Sequence, residues 1–198
     1  KLSSQGYRGL GNVYKRLVGA YSAFARTGVR RYPLYVTRIE DSNGDLVAEF
    51  TPRVREVISE DAACKMVTLM RGVIDSGTGH RMRARYHLTV PMAGKTGTTN
   101  DNSDGWFVGY TPSLSFGGWV GGEERDIHFA SMAIGQGANA ALPISAYFLM
   151  KVFADKSLGY SQEEDFDIPE GFDPCGQTDE SETEEEIAVE PVLDNLAN

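Results

Sequence analysis

The sequence predicts an α/β protein of the α+β type, in which helices cover an antiparallel sheet. Three strand-like segments follow one another closely, at 93–99, 105–110 and 114–120, and the turns between them are rich in Asn, Asp, Gly, Pro and Ser. These connections are too short for crossover helices, so the three strands are expected to pair antiparallel. Apolar residues at helical spacing occur both before and after the strands, and these helices are expected to cover the sheet.

A helix and a hairpin are predicted in the first 50 residues. Apolar residues recur at helical spacing from 13 to 27, and Gly28 follows at the position of a left-handed C-terminal cap. The segment 33–50 then alternates like two strands. Asn43 and Gly44 lie between these strands, and Asn-Gly is the strongest short hairpin signal.

Two further helices are predicted, one before and one after the three strands in the sequence. Ser59 can cap the first of them, because it precedes two acidic residues and an apolar stripe. The second is expected to begin near Pro143, which suits a first helical turn, and to place Ile144 and Phe148 on one apolar face. The glycine-rich stretch 135–139 before it is interpreted as a loop.

Charge divides the sequence into a body and a tail. The net charge is -9, but residues 161–198 hold 14 of the 28 acidic residues and no Lys or Arg, so the body is about +5. From Gly159 onward proline recurs and large apolar residues become rare, a composition that cannot offset its ordering entropy by burial. We therefore expect a domain at 1–158 and an acidic tail with little fixed structure at 159–198.

The stretch 93–100 carries the most chemical information. It reads Ala-Gly-Lys-Thr-Gly-Thr-Thr-Asn and offers an ammonium, three hydroxyls and a position without a side chain. On a strand, Thr96 and Thr98 would face one way and Lys95 the other, while the backbone edge could bind an extended peptide. A glycine- and threonine-rich turn is the alternative interpretation. A phosphate-binding loop is not supported, because that motif needs glycine where this sequence has Thr89.

These residues also resemble a known family. Residues 95–98 read Lys-Thr-Gly-Thr and match the Lys-Thr-Gly element of penicillin-binding proteins and serine β-lactamases. The run 93–121 is similar, more specifically, to the class A (bifunctional) penicillin-binding proteins, and the whole resemblance covers 13–155. The other matching segments are 21–25, 77–79 and 142–143. The sequence is thus identified as similar to the C-terminal part of a class A transpeptidase domain, with an incomplete penicillin-binding-protein and β-lactamase-like fold.

The resemblance implies a D-Ala-D-Ala transpeptidase. Such an enzyme crosslinks peptidoglycan stem peptides through a serine acyl-enzyme and is acylated by β-lactam antibiotics. By the same analogy Thr96 and Thr98 hold the terminal carboxylate of the donor peptide or drug, and the amide of Thr98 supplies one oxyanion donor. Lys95 adjusts the electrostatic field and the proton relay around the nucleophilic serine. Gly97 keeps the substrate cleft open. Lys95 and Thr98 are therefore the expected catalytic residues, and Thr96, Gly97 and Thr98 the expected substrate-binding residues.

The nucleophile motifs of that family do not occur in this sequence. No lysine has a serine three positions before it, and there is no Ser-x-Asn. In the family both motifs precede Lys-Thr-Gly, as do the glycosyltransferase domain and the membrane anchor. We therefore expect a fragment that is inactive alone, whose partner is the missing N-terminal part of an extracytoplasmic protein, with a degenerate homologue as the alternative. Any contact with the membrane is expected only through the absent anchor.

Other functions remain open on the sequence alone. A D,D-carboxypeptidase or a β-lactamase shares Lys-Thr-Gly and differs in whether water or an amine takes the acyl group. A noncatalytic peptidoglycan-binding module is a further alternative. No cofactor, metal or nucleic-acid partner is predicted, because His80, His87 and His128 lack metal-ligand spacing, and Cys64 and Cys175 are expected to be unrelated thiols.

Overall fold

The computed structural model describes residues 4–122, 124 and 126–175, with side chains from Tyr14 onward. In chain order these residues form α1 (Ser4–Ala25), β1 (Val29–Arg31), β2 (Arg38–Glu40), β3 (Leu46–Glu49), β4 (Val54–Glu56), α2 (Glu60–Asp75), α3 (Arg81–Ala84), β5 (Ala93–Thr98), β6 (Asp104–Tyr110), β7 (Ser115–Gly121), α4 (Met132–Gly135), α5 (Gly137–Ala140) and α6 (Leu142–Ala154). The predicted α+β architecture is confirmed: an antiparallel sheet of β5, β6 and β7 is covered by helices, and two two-stranded sheets accompany it.

The central sheet has the order β5-β6-β7. Gly97 lies opposite Trp106, which lies opposite Trp119, and Thr96 lies opposite Phe107. Because side chains alternate along each strand, Lys95 and Gly97 share the face of the two tryptophans, whereas Thr96 and Thr98 share the face of Phe107. Among the described residues, β5 and β7 form the two edges of this sheet.

Different helices cover the two faces of the sheet. On the tryptophan face, the ring of Tyr14 from α1 lies 5.0 Å from that of Trp106 and 5.7 Å from that of Trp119. On the opposite face, fully buried Phe107 packs in one cluster with Leu142 and Leu149 of α6. Trp106, Trp119 and Phe107 are therefore packing residues.

The orientation of α6 corrects one prediction. Ile144 and Phe148 are about half exposed, at 51% and 47%, and the buried face instead carries Leu142, Ala146 and Leu149. The reason is close packing between small residues. A Cβ added to Gly118 of β7 would lie 2.9 Å from the carbonyl oxygen of Ala141, so the helix approaches the sheet through small side chains rather than large ones.

The predicted helix caps are confirmed. Ser59 precedes α2, and its side-chain oxygen accepts a hydrogen bond from the amide of Ala62 at 3.3 Å. This bond satisfies one of the amide groups that have no partner within the helix. Gly28 follows α1 with φ of +95° and donates its N–H to the carbonyl of Ala23 at 2.8 Å.

The predicted hairpin is present with shorter strands. β2 and β3 pair antiparallel, and Gly44 has φ of +88° in the turn between them. A second pairing, between β1 and β4, was not predicted: Val29 lies opposite Glu56. These two strands have three residues each, and a whole hairpin lies between them in the sequence. No local sequence pattern therefore predicts their pairing.

The segment after Gly159 is described as far as Cys175. Phe166 is 8% exposed, and its ring lies 5.7 Å from that of Tyr110. Phe166, together with partly buried Ile168, thus packs this part of the acidic segment against the body. The domain boundary stays a prediction, and residues 176–198, for which little fixed structure was predicted, lie outside the described residues. Within the described ranges, none of the helices combines the length and apolar character needed to cross a bilayer.

Candidate functional site

The residues singled out from the sequence all lie on the edge strand β5. The alternative of a glycine- and threonine-rich turn is wrong, because 93–98 pairs with β6 along its whole length. Lys95 is exposed, and its Nζ donates a hydrogen bond to the carbonyl oxygen of Thr96 at 2.8 Å. Gly97 lies one strand position beyond that threonine. An edge strand directs half of its backbone donors and acceptors outward, which is the requirement for pairing with an extended peptide.

The hydroxyl of Thr96 is held by a residue far away in sequence. Its Oγ1 lies 2.7 Å from the Oγ1 of Thr78, in the turn between α2 and α3. Either oxygen can be the donor in this pair. The side chain of Thr96 is therefore fixed on the strand face opposite to Lys95.

The hydroxyl of Thr98 is held by the start of α5. Its Oγ1 accepts a hydrogen bond from the amide of Gly137 at 3.0 Å. A Cβ on Gly137 would collide with the carbonyl oxygens of Gly97 and Trp106, so only glycine brings this amide so close to the strand. The stretch 135–139, interpreted as a loop from the sequence, instead holds the last residue of α4 and most of α5, and α5 positions Thr98.

The end of β5 is held by a network around Asp104. Thr99 Oγ1 lies 2.9 Å from the Oγ of Ser103 and accepts the amide of Asp104 at 2.8 Å. One carboxylate oxygen of Asp104 accepts the indole N–H of Trp119 at 2.8 Å, and the other accepts the hydroxyl of Thr99 at 3.2 Å. This carboxylate is engaged in structural hydrogen bonds, which keep the β5–β6 turn in place beside the threonines.

The site therefore combines two positioned hydroxyls, a lysine on the other strand face and an open strand edge. Hydroxyl donors together with a nearby ammonium suit a carboxylate, and the edge suits the backbone of a peptide that carries it. Sequence reasoning identified the four residues of β5 but not the contacts that hold them, which come from the hydroxyl of Thr78 and the amide of Gly137. The glycine-flanked threonine at 77–79 was the available signal for the first of these.

Comparison with known proteins identifies the family of this chain. Residues 13–122 match the model of the penicillin binding protein transpeptidase domain. Penicillin-binding protein 1A of Aquifex aeolicus is 34% identical over 78% of this chain and 20% of its own length. Penicillin-binding protein 2a of Streptococcus pneumoniae is 32% identical over 62% of this chain and 17% of its own length. The chain thus spans about a fifth or less of the length of these curated relatives.

Solved structures share the fold. Penicillin-binding protein 1A from Haemophilus influenzae superposes with a TM-score of 0.62 at 20% identity, covering 70% of this chain and 26% of that one. The imipenem acyl-enzyme of penicillin-binding protein A from M. tuberculosis superposes with a TM-score of 0.52 at 17% identity, covering 66% of this chain and 29% of that one. With the family model matching more than half of its length, the chain belongs to the penicillin binding protein transpeptidase domain family.

Proposed function

We propose that this chain supplies the substrate-binding strand of a serine D-Ala-D-Ala transpeptidase that crosslinks peptidoglycan and is acylated by β-lactam antibiotics. In this proposal Thr96 and Thr98 bind the terminal carboxylate of the stem peptide or drug. The amide of Thr98 stabilises the oxyanion. Lys95 acts on the electrostatic field and on proton transfer around the nucleophile, and Gly97 keeps the cleft open for the substrate.

One observation carries the proposal. Thr96 and Thr98 lie on the same face of an edge strand, and each hydroxyl is already held by a second group, at 2.7 Å and 3.0 Å. Side chains fixed in this way lose little rotamer freedom when a ligand binds, which is the usual requirement for a preorganised site.

The nucleophile is proposed to lie on a segment outside these 198 residues, in the same longer protein. Two findings support this: the sequence contains no Ser-x-x-Lys, and the chain spans only about a fifth of its relatives. The isolated chain is then expected to form no acyl-enzyme. By analogy with class A penicillin-binding proteins, the longer protein acts outside the cytoplasmic membrane. Its anchor to that membrane is proposed to lie, like the nucleophile, outside these 198 residues.

The test is intact-mass analysis after incubation with benzylpenicillin. It is applied to this chain and to the longest natural translation product that contains it. An adduct of one drug mass on the longer protein but not on the chain is expected. If neither protein forms an adduct, the catalytic role is wrong and a noncatalytic peptidoglycan-binding module takes its place. An adduct on the chain alone would require a nucleophile within these residues.

The same experiment separates the related enzymes. Once the adduct has formed, its rate of loss in water is measured with and without an amine acceptor. Slow loss that the amine accelerates is expected for a transpeptidase. Rapid loss in water alone indicates a β-lactamase, and release of D-alanine from a stem peptide without crosslinking indicates a D,D-carboxypeptidase.

A further inference from the structure

The turn before α3, together with the first residue of that helix, supports both threonine hydroxyls of β5. Thr78 lies at the start of this turn, and its Oγ1 contacts that of Thr96 at 2.7 Å. Arg81 lies three residues later, and its guanidinium donates to the carbonyl oxygen of Ala138 at 3.4 Å and to the side-chain oxygen of Asn139. Both of these acceptors belong to α5, whose first amide holds Thr98. The segment 78–81 therefore contacts Thr96 directly, through Thr78, and supports Thr98 indirectly, through the contact of Arg81 with α5.

The turn itself is anchored in the body of the protein. The amide of Gly79 donates to the carbonyl of Val73, in the last turn of α2, at 2.9 Å, and the amide of His80 donates to the carbonyl of Gly77 at 3.0 Å. Met82, directly after Arg81, is fully buried in the cluster that also contains Phe107. Thr78 and Arg81 thus project from a segment fixed on both sides.

These contacts limit which hydroxyl protons are free to be donated to a bound anion. A threonine hydroxyl has one proton and two acceptor lone pairs. The amide of Gly137 can only donate, so Thr98 accepts there and keeps its own proton for another acceptor. In the Thr78–Thr96 pair, an anion that takes the proton of Thr96 leaves Thr78 as the donor to Thr96. Both threonines of β5 can then donate to one anionic group at the same time.

We propose that Thr78 and Arg81 are positioning residues that make Thr96 and Thr98 donors to the ligand carboxylate. Thr78 acts through Thr96. Arg81 acts through α5 and the amide of Gly137, because its guanidinium is engaged with that helix. The inference rests on the proposed function, since it names the residues that prepare the carboxylate site of that function.

The test compares two β-lactams that differ only at the carboxylate. The second-order rate of acylation of the longest natural translation product is measured with benzylpenicillin and with its methyl ester, whose carboxylate is blocked. Thr78→Val is expected to slow acylation by the free acid about threefold to tenfold, the loss expected when the neutral hydrogen bond that orients the hydroxyl of Thr96 is removed. Acylation by the ester is expected to stay unchanged. Thr78→Ser keeps the hydroxyl and is expected to restore the wild-type rate.

Matched controls come from the same part of the chain. Thr89 is another exposed threonine whose hydroxyl bonds a side chain, that of Gln162 at 3.4 Å, and Thr89→Val is expected to change neither rate. Arg81→Met is expected to reduce the free-acid rate selectively. Arg85 is an exposed arginine that contacts the ring of Tyr86, and Arg85→Met is expected to leave both rates unchanged.

The outcomes separate the two proposals. A wild-type protein that reacts with neither compound refutes the proposed function and, with it, this inference. If the wild-type protein reacts, two results for Thr78→Val refute the inference alone. One is an acylation rate that falls equally for the free acid and the ester, and the other is an acylation rate that does not fall for either compound. An equal loss for both compounds would show a general disturbance of the fold rather than a missing donor.

Discussion

Gly137→Ala is the substitution for which the structure predicts the largest effect at the site. The new methyl group would collide with the carbonyl oxygens of Gly97 and Trp106. These are backbone atoms, so rotation of a side chain cannot relieve the clash. Overpacking of this kind costs about 1–3 kcal/mol, and loss of the bond to Thr98 adds about 1 kcal/mol. The better helix propensity of alanine offsets at most about 1 kcal/mol. We expect the free energy of unfolding to fall by about 1–3 kcal/mol.

Urea unfolding followed by circular dichroism measures this change. With a slope of about 2 kcal/mol per M urea, the midpoint should fall by about 0.5–1.5 M. Gly72→Ala is the matched control: Gly72 lies within α2, and a Cβ there meets no atom within 4 Å. That control is expected to stabilise the protein by up to about 1 kcal/mol. A midpoint for Gly137→Ala equal to or above that of the wild type would refute the close approach of α5 to β5.

Substitutions at Thr98, Phe166 and Tyr110 test a hydrogen bond, a packing contact and a buried hydroxyl. Thr98→Val should slow acylation of the longer protein by benzylpenicillin about 10–100-fold, because a hydrogen bond to a charged group is lost; an unchanged rate would remove Thr98 from the carboxylate site. Phe166→Ala should lower the free energy of unfolding by about 2–4 kcal/mol in urea, since the ring is 8% exposed against Tyr110; an unaltered midpoint would show that this segment adds nothing to the core. Burial, and secondarily the charge of Tyr21, raises the pKa of Tyr110 above its ordinary value near 10. The unfolded chain therefore loses this proton first, and stability should fall as pH rises above about 10, by at most about 1.4 kcal/mol per pH unit. Tyr110→Phe should remove that part of the slope, and identical slopes would contradict the assignment.

The parts of the fold that were predicted depend on local signals. Ser59 is followed by two acidic residues and an apolar stripe, and Asn43-Gly44 interrupts an alternating segment, so each marks its element within a few residues. The face of α6 was wrong because hydrophobicity favours Ile144 and Phe148, whereas Gly118 of β7 is approached closely by the backbone of Ala141 and the side chain of Ser145. Such a choice depends on the opposing strand and is not visible within the helix.

The candidate site was predicted only as far as one strand. Lys95, Thr96, Gly97 and Thr98 are consecutive, so their motif brings them together whatever the rest of the chain does. The contact of Thr96 with Thr78 joins residues 18 positions apart, and that of Thr98 with Gly137 joins residues 39 positions apart. Contacts between residues this far apart in sequence depend on how the helices pack on the sheet. Residue spacing in a single sequence does not predict them.

The packing of Tyr14 against the two tryptophans has an optical consequence. The chain contains only two tryptophans, and both lie on this face of the sheet. Their intrinsic fluorescence therefore comes from one place, the junction between α1 and the strands. Trp106 lies directly opposite Gly97 in the sheet, so a molecule that settles on β5 approaches this fluorophore from the neighbouring strand. The native protein thus carries its own spectroscopic reporter on the strand next to β5, on the sheet face opposite to Thr96 and Thr98. We expect its fluorescence to follow ligand titrations without an attached dye.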